Sequence, residues 1–349
     1  MEERQPYGEL YEDALPEAEG NNRSGVRGRR MRQHVGPVRQ LRCRVSSRAV
    51  KASLVICSRN GARLLSEVIA AARTSLERAG DGELILVDSS STDNTLSLMR
   101  EAAMSPGITA LTLTQIGVSR ARNAGWALAT GDVVLFTDDD IIVPPDWVEA
   151  MAAPIEAGCD ATAGTVHLPG HLTESLAPRQ REFLADTRSM NLGSPPRTIV
   201  SASMGLRRNL HDLGFRFDHR LDPGALGYMG DALFHLQLTE AGGRTQLVES
   251  VPVLHRFDEA RLQPAMWAKR ARRQGICEAW INHHWCHEAP TLGEWKAFLG
   301  AEVRMRRLPP GGDGESLDIV ARAAAGRWWL AHRFSRRQYA HREVPARIR

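Results

Sequence analysis

Asp132-Val133-Val134-Leu135-Phe136-Thr137-Asp138-Asp139-Asp140-Ile141-Ile142-Val143-Pro144-Pro145 runs an apolar, strand-like segment straight into three consecutive carboxylates. The densest negative charge of the chain therefore sits at a strand end. Neighbouring carboxylates repel one another. One of the few arrangements that uses this repulsion is a hard divalent cation held by oxygen ligands together with a phosphate. The alternative is a solvated acidic turn that caps the following helix. The flanking sequence decides between them.

Upstream, Ser53-Leu54-Val55-Ile56-Cys57-Ser58-Arg59-Asn60 is a short apolar run that ends in polar residues. A helical pattern follows from Ala62 to about Arg78, with Leu64, Leu65, Val68, Ile69, Ala72 and Leu76 on one side. Glu83-Leu84-Ile85-Leu86-Val87-Asp88 then reads as a buried strand, and the turn Ser89-Ser90-Ser91-Thr92-Asp93 is expected to supply an N-cap for a helix through Leu96 and Met99. Strand, helix, strand is the signature of a parallel βαβ unit. In open sheets of this kind ligands bind beyond the carboxyl ends of the strands, where Cys57–Asn60, Asp88 and Asp138–Asp140 all fall. Farther on, an apolar stretch near Ile108–Leu113 precedes a helix from Gly117 into the Asp132 strand. Arg120 and Arg122 on that helix are candidates to hold a diphosphate, or are simply surface arginines.

In this order and spacing the segments Val55–Asn60, Val87–Asp93, Gly117–Gly125 with Ala121-Arg122-Asn123, and the Asp-x-Asp pair Asp138 and Asp140 resemble the family-two glycosyltransferases of the GT-A fold. The resemblance covers roughly residues 52 to 275. It implies an α/β architecture: a Rossmann-like, mostly parallel sheet flanked by helices, with a C-terminal helical extension. It also implies inverting transfer of a sugar from a nucleotide-diphosphate donor. Donor-binding roles fall to Ser58, Arg59, Asp88, Arg122 and Asp138, and cation-binding roles to Asp138 and Asp140, with Mn2+ or Mg2+ as cofactor.

Gly227-Tyr228-Met229-Gly230-Asp231-Ala232 lines up with the family's Glu-Asp motif, which makes Asp231 the expected general base. An acceptor hydroxyl is a poor nucleophile until its proton is removed, and a carboxylate within hydrogen-bond reach can remove it. Gly230 replaces the usual glutamate, and Ser89 stands where many relatives carry a second aspartate. Ile199–Arg208 is similar to the strand that precedes a short helix in the family. Leu247–His255 reads as a strand ending in His255, which in many relatives is a further metal ligand, and imidazole suits manganese better than magnesium. Met266–Gly275 resembles the basic segment that closes over the diphosphate; the alternative is a solvated helix face.

Length and composition agree with one large α/β domain plus appended helices: 349 residues, 42% hydrophobic, formal charge +4. Residues 1–50 are acidic and then arginine-rich, without periodicity, and read as a disordered extension; 51–275 is the expected glycosyltransferase domain and 276–349 a helical region. No run reaches the roughly 20 apolar residues needed to span a bilayer, and no secretory core is seen, so a cytoplasmic enzyme is expected. Five cysteines without framework spacing suit a reducing compartment. The Gln-x-x-Arg-Trp motif of processive synthases is absent, which favours transfer of one or a few sugars.

Cys277–His287, with His283, His284, Cys286 and His287, invites a zinc reading, but no second pair has ligand spacing, and an aromatic packing helix is expected instead. Gly311–Gly314 reads as a linker. A basic helix over Leu317–Tyr339 with Trp328 and Trp329 packs on the body or lies on an anionic membrane, with packing favoured.

The expected partners are a nucleotide-sugar donor and a glycan, lipid-linked or small-molecule acceptor, with no nucleic acid and with peripheral membrane contact as an option. A catalytically silent binder of the same fold is the alternative. A sugar nucleotidylyltransferase ranks lower, because its glycine-rich loop is missing after the first strand.

Overall fold

A computed structural model describes residues 51–80, 82–190, 192–193, 196–222, 225–257, 259–308, 314–340 and 344–348. The extension expected over 1–50 lies outside the described residues, as does most of the 311–314 linker.

The first strand, β1 (Ala52–Ser58), is buried at every position. Its period-two alternation sends Leu54 and Ile56 to one face and Val55 and Cys57 to the other, so each face nucleates its own core. On the first face α1 (Ala62–Ala79) buries Leu64, Leu65, Val68, Ile69, Ala72 and Leu76, the side that its spacing predicts. Next come β2 (Gly82–Asp88), α2 (Thr95–Ala102), β3 (Ile108–Thr112), α3 (Val118–Leu128) and β4 (Val133–Asp138). The acidic turn leads into β5 (Ile141–Ile142), α4 (Trp147–Glu156) and β6 (Ala161–His167). Two short helices, α5 (Gly170–Ser175) and α6 (Pro178–Glu182), precede β7 (Met204–Arg207), α7 (Gly230–Glu240) and β8 (Thr245–His255).

The eight strands form one sheet in the order β3-β2-β1-β4-β7-β6-β8-β5. β3, β2, β1 and β4 are mutually parallel, β6 and β8 are parallel, and β7 and β5 run against their neighbours. On the second face Trp126 of α3 meets Phe136, Phe217 and Phe234 edge-on or tilted, with ring centroids 5.8–6.1 Å apart. Such aromatic pairs add to simple area burial and fix α3 and α7 against the sheet.

The chain then forms α8 (Pro264–Ile281), α9 (Leu292–Met305) and α10 (Gly314–His332). A Cβ on Gly275 would fall 1.9 Å from the carbonyl oxygen of Ala321, so α8 and α10 touch backbone to backbone. Trp328 and Trp329 are buried, which agrees with packing on the body. Three boundaries and one cap differ from the sequence reading. The strand expected over Ile199–Arg208 is only Met204–Arg207, preceded by a 3-10 turn at Ser201–Ser203. The basic helix expected over Met266–Gly275 extends to Ile281 and so runs through the expected domain boundary. The last helix stops at His332, short of Tyr339. At the start of α2 no serine caps; Asp93 Oδ1 accepts the Thr95 N–H at 3.0 Å.

After α8 a π-turn at Asn282–Cys286 ends with His287 at φ 58°. Its imidazoles hold the C-terminal segment: His283 Nε2 lies 3.0 Å from Ser335 O, and His284 Nδ1 accepts the Gln338 N–H at 3.2 Å.

Candidate active site

Strand register assembles the site. Ser58 pairs with Asp88 across β1–β2, and Cys57 with Asp138 across β1–β4, so three polar side chains emerge at one edge of the sheet. On the far side Ile141 pairs with His255 across β5–β8, which carries the histidine alongside Asp140. The Arg256 N–H donates to the Asp140 carbonyl at 2.7 Å and fixes that register.

The three consecutive aspartates fan out to three different partners. Asp138 Oδ1 accepts from Arg122 Nη2 at 2.7 Å. Asp139 Oδ2 accepts from the Ser58 hydroxyl. Asp140 Oδ2 accepts from Arg261 Nη1 at 2.8 Å and faces His255 Nε2 at 3.3 Å.

The fan has an electrostatic logic. Burial pushes the Asp139 carboxyl up to about 7, with the charges of Asp140 and Asp138 adding to it. Burial pushes Asp140 the same way, yet the His255 hydrogen bond and the charge of Arg261 hold it below its usual range. Arg122 is buried. Burial works against its charge, but Asp138 first, then Cys57 and Asp231, keep it above its ordinary value.

Among the described residues no group of three or more His, Cys, Asp or Glu side chains is placed to hold a metal ion. The pair Asp140 and His255 nevertheless suits a hard or borderline cation. His255 Nδ1 is engaged by Leu184 O at 2.7 Å, which leaves Nε2 to face the carboxylate. A backbone carbonyl on the far ring nitrogen is the usual support of a ligating histidine. A separation of 3.3 Å between Nε2 and Oδ2 matches two adjacent ligands on one cation at about 2.1 Å each.

Asp88 is almost fully buried. Its carboxylate accepts from Thr112 Oγ1 at 2.8 Å and from the Ser91 N–H at 3.1 Å, so it locks the turn after β2. Asn60, with φ 57°, laces this turn to the one after β1 by accepting the Thr92 N–H at 2.8 Å. Arg59 is exposed at the rim. Ser89 accepts the Gly117 N–H at 2.9 Å and holds the entry to α3.

Asp231 lies in the first turn of α7, after Met229 in the left-handed region at φ 65°. Its Oδ2 accepts from the Ser201 N–H at 3.1 Å and from the Ser201 hydroxyl at 3.2 Å, while Oδ1 accepts the Ala232 N–H at 2.9 Å. The structure thus sets three side-chain pairs, Arg122–Asp138, Ser58–Asp139 and Asp140–His255, on one acidic turn. Asp88 stands in register with Ser58, and Asp231 is bonded to Ser201 and Ala232.

Three contributors were not singled out from sequence: Arg261, Ser201 and Asp222. Arg261 sits in a 3-10 turn between β8 and α8 that carries no motif. Asp222 is buried and accepts the Ser119 N–H at the start of α3 at 2.7 Å, across 103 residues, a pairing that no local pattern announces.

Residues 53–214 match the family model described as glycosyl transferase family 2. Among curated proteins, an undecaprenyl-phosphate 4-deoxy-4-formamido-L-arabinose transferase of Enterobacter sp. is 35% identical over 120 residues, 33% of this chain and 36% of that one. A glucosyl-dolichyl phosphate glucuronosyltransferase of Haloferax volcanii is 30% identical over 187 residues, 52% of each chain. The chain thus spans about a third to a half of the length of these relatives. A mannosyltransferase of Pyrobaculum calidifontis, solved in complex with GDP-Man and Mn2+, superposes with a TM-score of 0.55 at 17% identity, covering 81% of this chain and 88% of that one. The architecture is that of the GT-A fold, with helices added at the C-terminus.

Proposed function

Since the chain carries a glycosyl transferase family 2 domain, we propose that it transfers a sugar from a nucleoside-diphosphate donor to an acceptor hydroxyl, with inversion and with a divalent cation on the donor diphosphate. The observation that carries this reading is the convergence of Asp140 Oδ2 and His255 Nε2 across the β5–β8 register, beside the strand ends that present Ser58, Asp88 and Asp138. Asp140 and His255 would hold Mn2+ or Mg2+, with Asp138 completing the acidic edge. When bound, the cation neutralises charge on the departing diphosphate and acts as a Lewis acid without a proton transfer. Arg122 orients Asp138 by the bond at 2.7 Å, and Asp88 holds the turn against which the nucleoside would lie. Ser58 and Arg59 complete the donor rim.

Asp231 would take the acceptor proton. Its Oδ2 is steered by the Ser201 N–H and hydroxyl, which position the carboxylate. A direct attack with Asp231 as base gives inversion in a single displacement. We assign residues 51–275 to the transferase domain and 276–349 to a helical region that buttresses it through α8.

The names of both curated relatives contain a polyprenyl phosphate, which supports a lipid-linked acceptor for this chain as well. No helix among the described residues is long and apolar enough to cross a membrane. The proposed setting is the cytoplasmic face of a membrane, reached peripherally.

A second reading, donor binding without turnover, draws on the hydrogen bonds that already engage both oxygens of Asp231. Nucleoside-diphosphate release decides between the two readings. A donor panel with Mn2+, screened first by thermal shift and then for release with polyprenyl-phosphate-linked sugars, which present a hydroxyl, should give turnover. Asp231→Asn should lower that turnover by roughly two to four orders of magnitude while donor affinity barely changes. Binding without release across the panel, or equal turnover in Asp231→Asn, would remove the base assignment.

A further inference from the structure

Among the described residues, helix α9 (Leu292–Met305) has one side packed and the other exposed. Ala301 packs on Ile319 and Ala323 of α10, with Met305 and Leu308 beside it. Half a helical turn away, Leu292 is 82% exposed, Leu299 63% and Val303 54%. Leu292, Lys296, Leu299, Val303 and Arg306 recur at i, i+4, i+7, i+11 and i+14, so they form a single stripe. Nine residues separate Leu292 from Ala301, which sets the stripe opposite the α10 contact.

Charge is sorted across the same helix. Its two acids are committed elsewhere: Glu294 closes a capping box with Thr291, and Glu302 holds Arg327 of α10 at 2.9 Å. Lys296 borders the stripe together with Arg306 and Arg307 at its end, whereas Arg304 is tied to Glu315. An exposed apolar line edged by long cationic side chains, with no acid on that face, is the pattern of a helix lying in the plane of an anionic bilayer: the leucines enter the acyl boundary and the cationic heads reach the phosphates. A protein partner would be expected to present acids in a fixed register; a fluid anionic surface needs none.

We propose that the outward face of α9 is a membrane-docking surface for anionic lipid. It uses residues other than those of the proposed site, and it rests on the peripheral setting proposed above, for which it names the surface that would meet the lipid.

The test is co-sedimentation of the full chain with vesicles of pure phosphatidylcholine and of phosphatidylcholine with phosphatidylglycerol, at low and at physiological salt, without donor or acceptor. The expected result is binding to the anionic vesicles, weakened by salt, and little binding to neutral ones. The double substitution Leu299→Glu with Val303→Glu should lower the bound fraction at least tenfold. Lys296→Glu with Arg306→Glu should do likewise. All four side chains project away from the core, so circular dichroism and the unfolding midpoint should stay at wild-type values. Met104→Glu, at an 86% exposed position outside α9, should leave vesicle binding unchanged. Vesicle binding by Leu299→Glu/Val303→Glu equal to wild type would overturn the proposal, as would no wild-type binding to anionic vesicles. A concentration-dependent dimer without lipid that the same pair abolishes would reassign the face to a second copy of the chain. None of these readings depends on sugar transfer, so each idea can fail alone.

Discussion

His235 offers a direct test of how α7, which carries Asp231, is anchored. It is buried, with Nδ1 at 3.3 Å from Arg197 O and Nε2 at 3.1 Å from Thr245 Oγ1. Burial pushes its pKa down from 6.5 to about 4, with the Arg197 carbonyl and the charge of Asp231 opposing. The folded protein therefore keeps a neutral ring where the unfolded chain, near 6.5, is already binding a proton. Between about pH 6.5 and 4 the unfolded state holds more protons, so stability rises with pH and is lost on acidification through that window. A shift of about 2.5 units corresponds to about 3 kcal/mol in total, of which about 2 kcal/mol would be lost by pH 5. His235→Gln keeps a donor and an acceptor without titrating there. Urea unfolding of both proteins from pH 7.5 to 4.5 should show the stability difference shifting towards the glutamine variant by that amount as pH falls. A difference that stays constant with pH would refute a neutral buried imidazole and the account of the α7 anchor built on it.

Asp140→Asn removes the proposed anionic ligand while keeping shape, so Mn2+-dependent binding of a nucleoside diphosphate should be lost, as read by calorimetry; equal affinities would sink the ligand assignment. Arg261 already sits on Asp140 at 2.8 Å, so Arg261→Gln should tighten binding of Mn2+ alone severalfold, measured by electron paramagnetic resonance. An unchanged affinity would mean that the guanidinium does not compete. Gly275→Ala would drive a Cβ into the Ala321 carbonyl at 1.9 Å, and separating α8 from α10 should cost about 3 kcal/mol, seen as a lowered urea midpoint. A midpoint within error of wild type would contradict that packing.

The N-terminal half was legible because local periodicity and the long-range solution agree there. The apolar face of α1, the apolar run of β1 and the strand-end position of Asp88 and Asp138 all follow from spacing alone. The acidic triplet was legible as a strand-end turn but not as a fan. Nothing in three consecutive aspartates says that the first turns to Arg122, the second to Ser58 and the third to His255 and Arg261. Those partners arrive from sequence distances of 16 to 121 residues. Boundaries were missed where tertiary contact overrides local pattern. The strand before α7 shrank to Met204–Arg207 because Ser203 turns inward, where its hydroxyl accepts from Trp147 Nε1 at 3.0 Å. Helix α8 ran past Gly275 because that glycine admits the α10 backbone.

The two departures from the family pattern bear on different parts of the site. Ser89 replaces an acid yet gives its hydroxyl oxygen to the Gly117 N–H, so the entry to α3 is held without a second carboxylate beside Asp88. Gly230 is not demanded by packing: a Cβ there would meet Ser119 Oγ at 3.4 Å and Leu221 Cβ at 3.8 Å, both ordinary contacts. What already faces that corner is Asp222, whose Oδ1 takes the Ser119 N–H at 2.7 Å and whose Oδ2 is buried without a partner among the described residues. A glutamate at 230 would bring a second carboxylate towards this one in a dehydrated corner, where like charges repel strongly. In this chain the acid at the N-terminus of α3 is Asp222. Asp231 sits in the first turn of α7, the position that the resemblance implies for the base, with or without a glutamate before it.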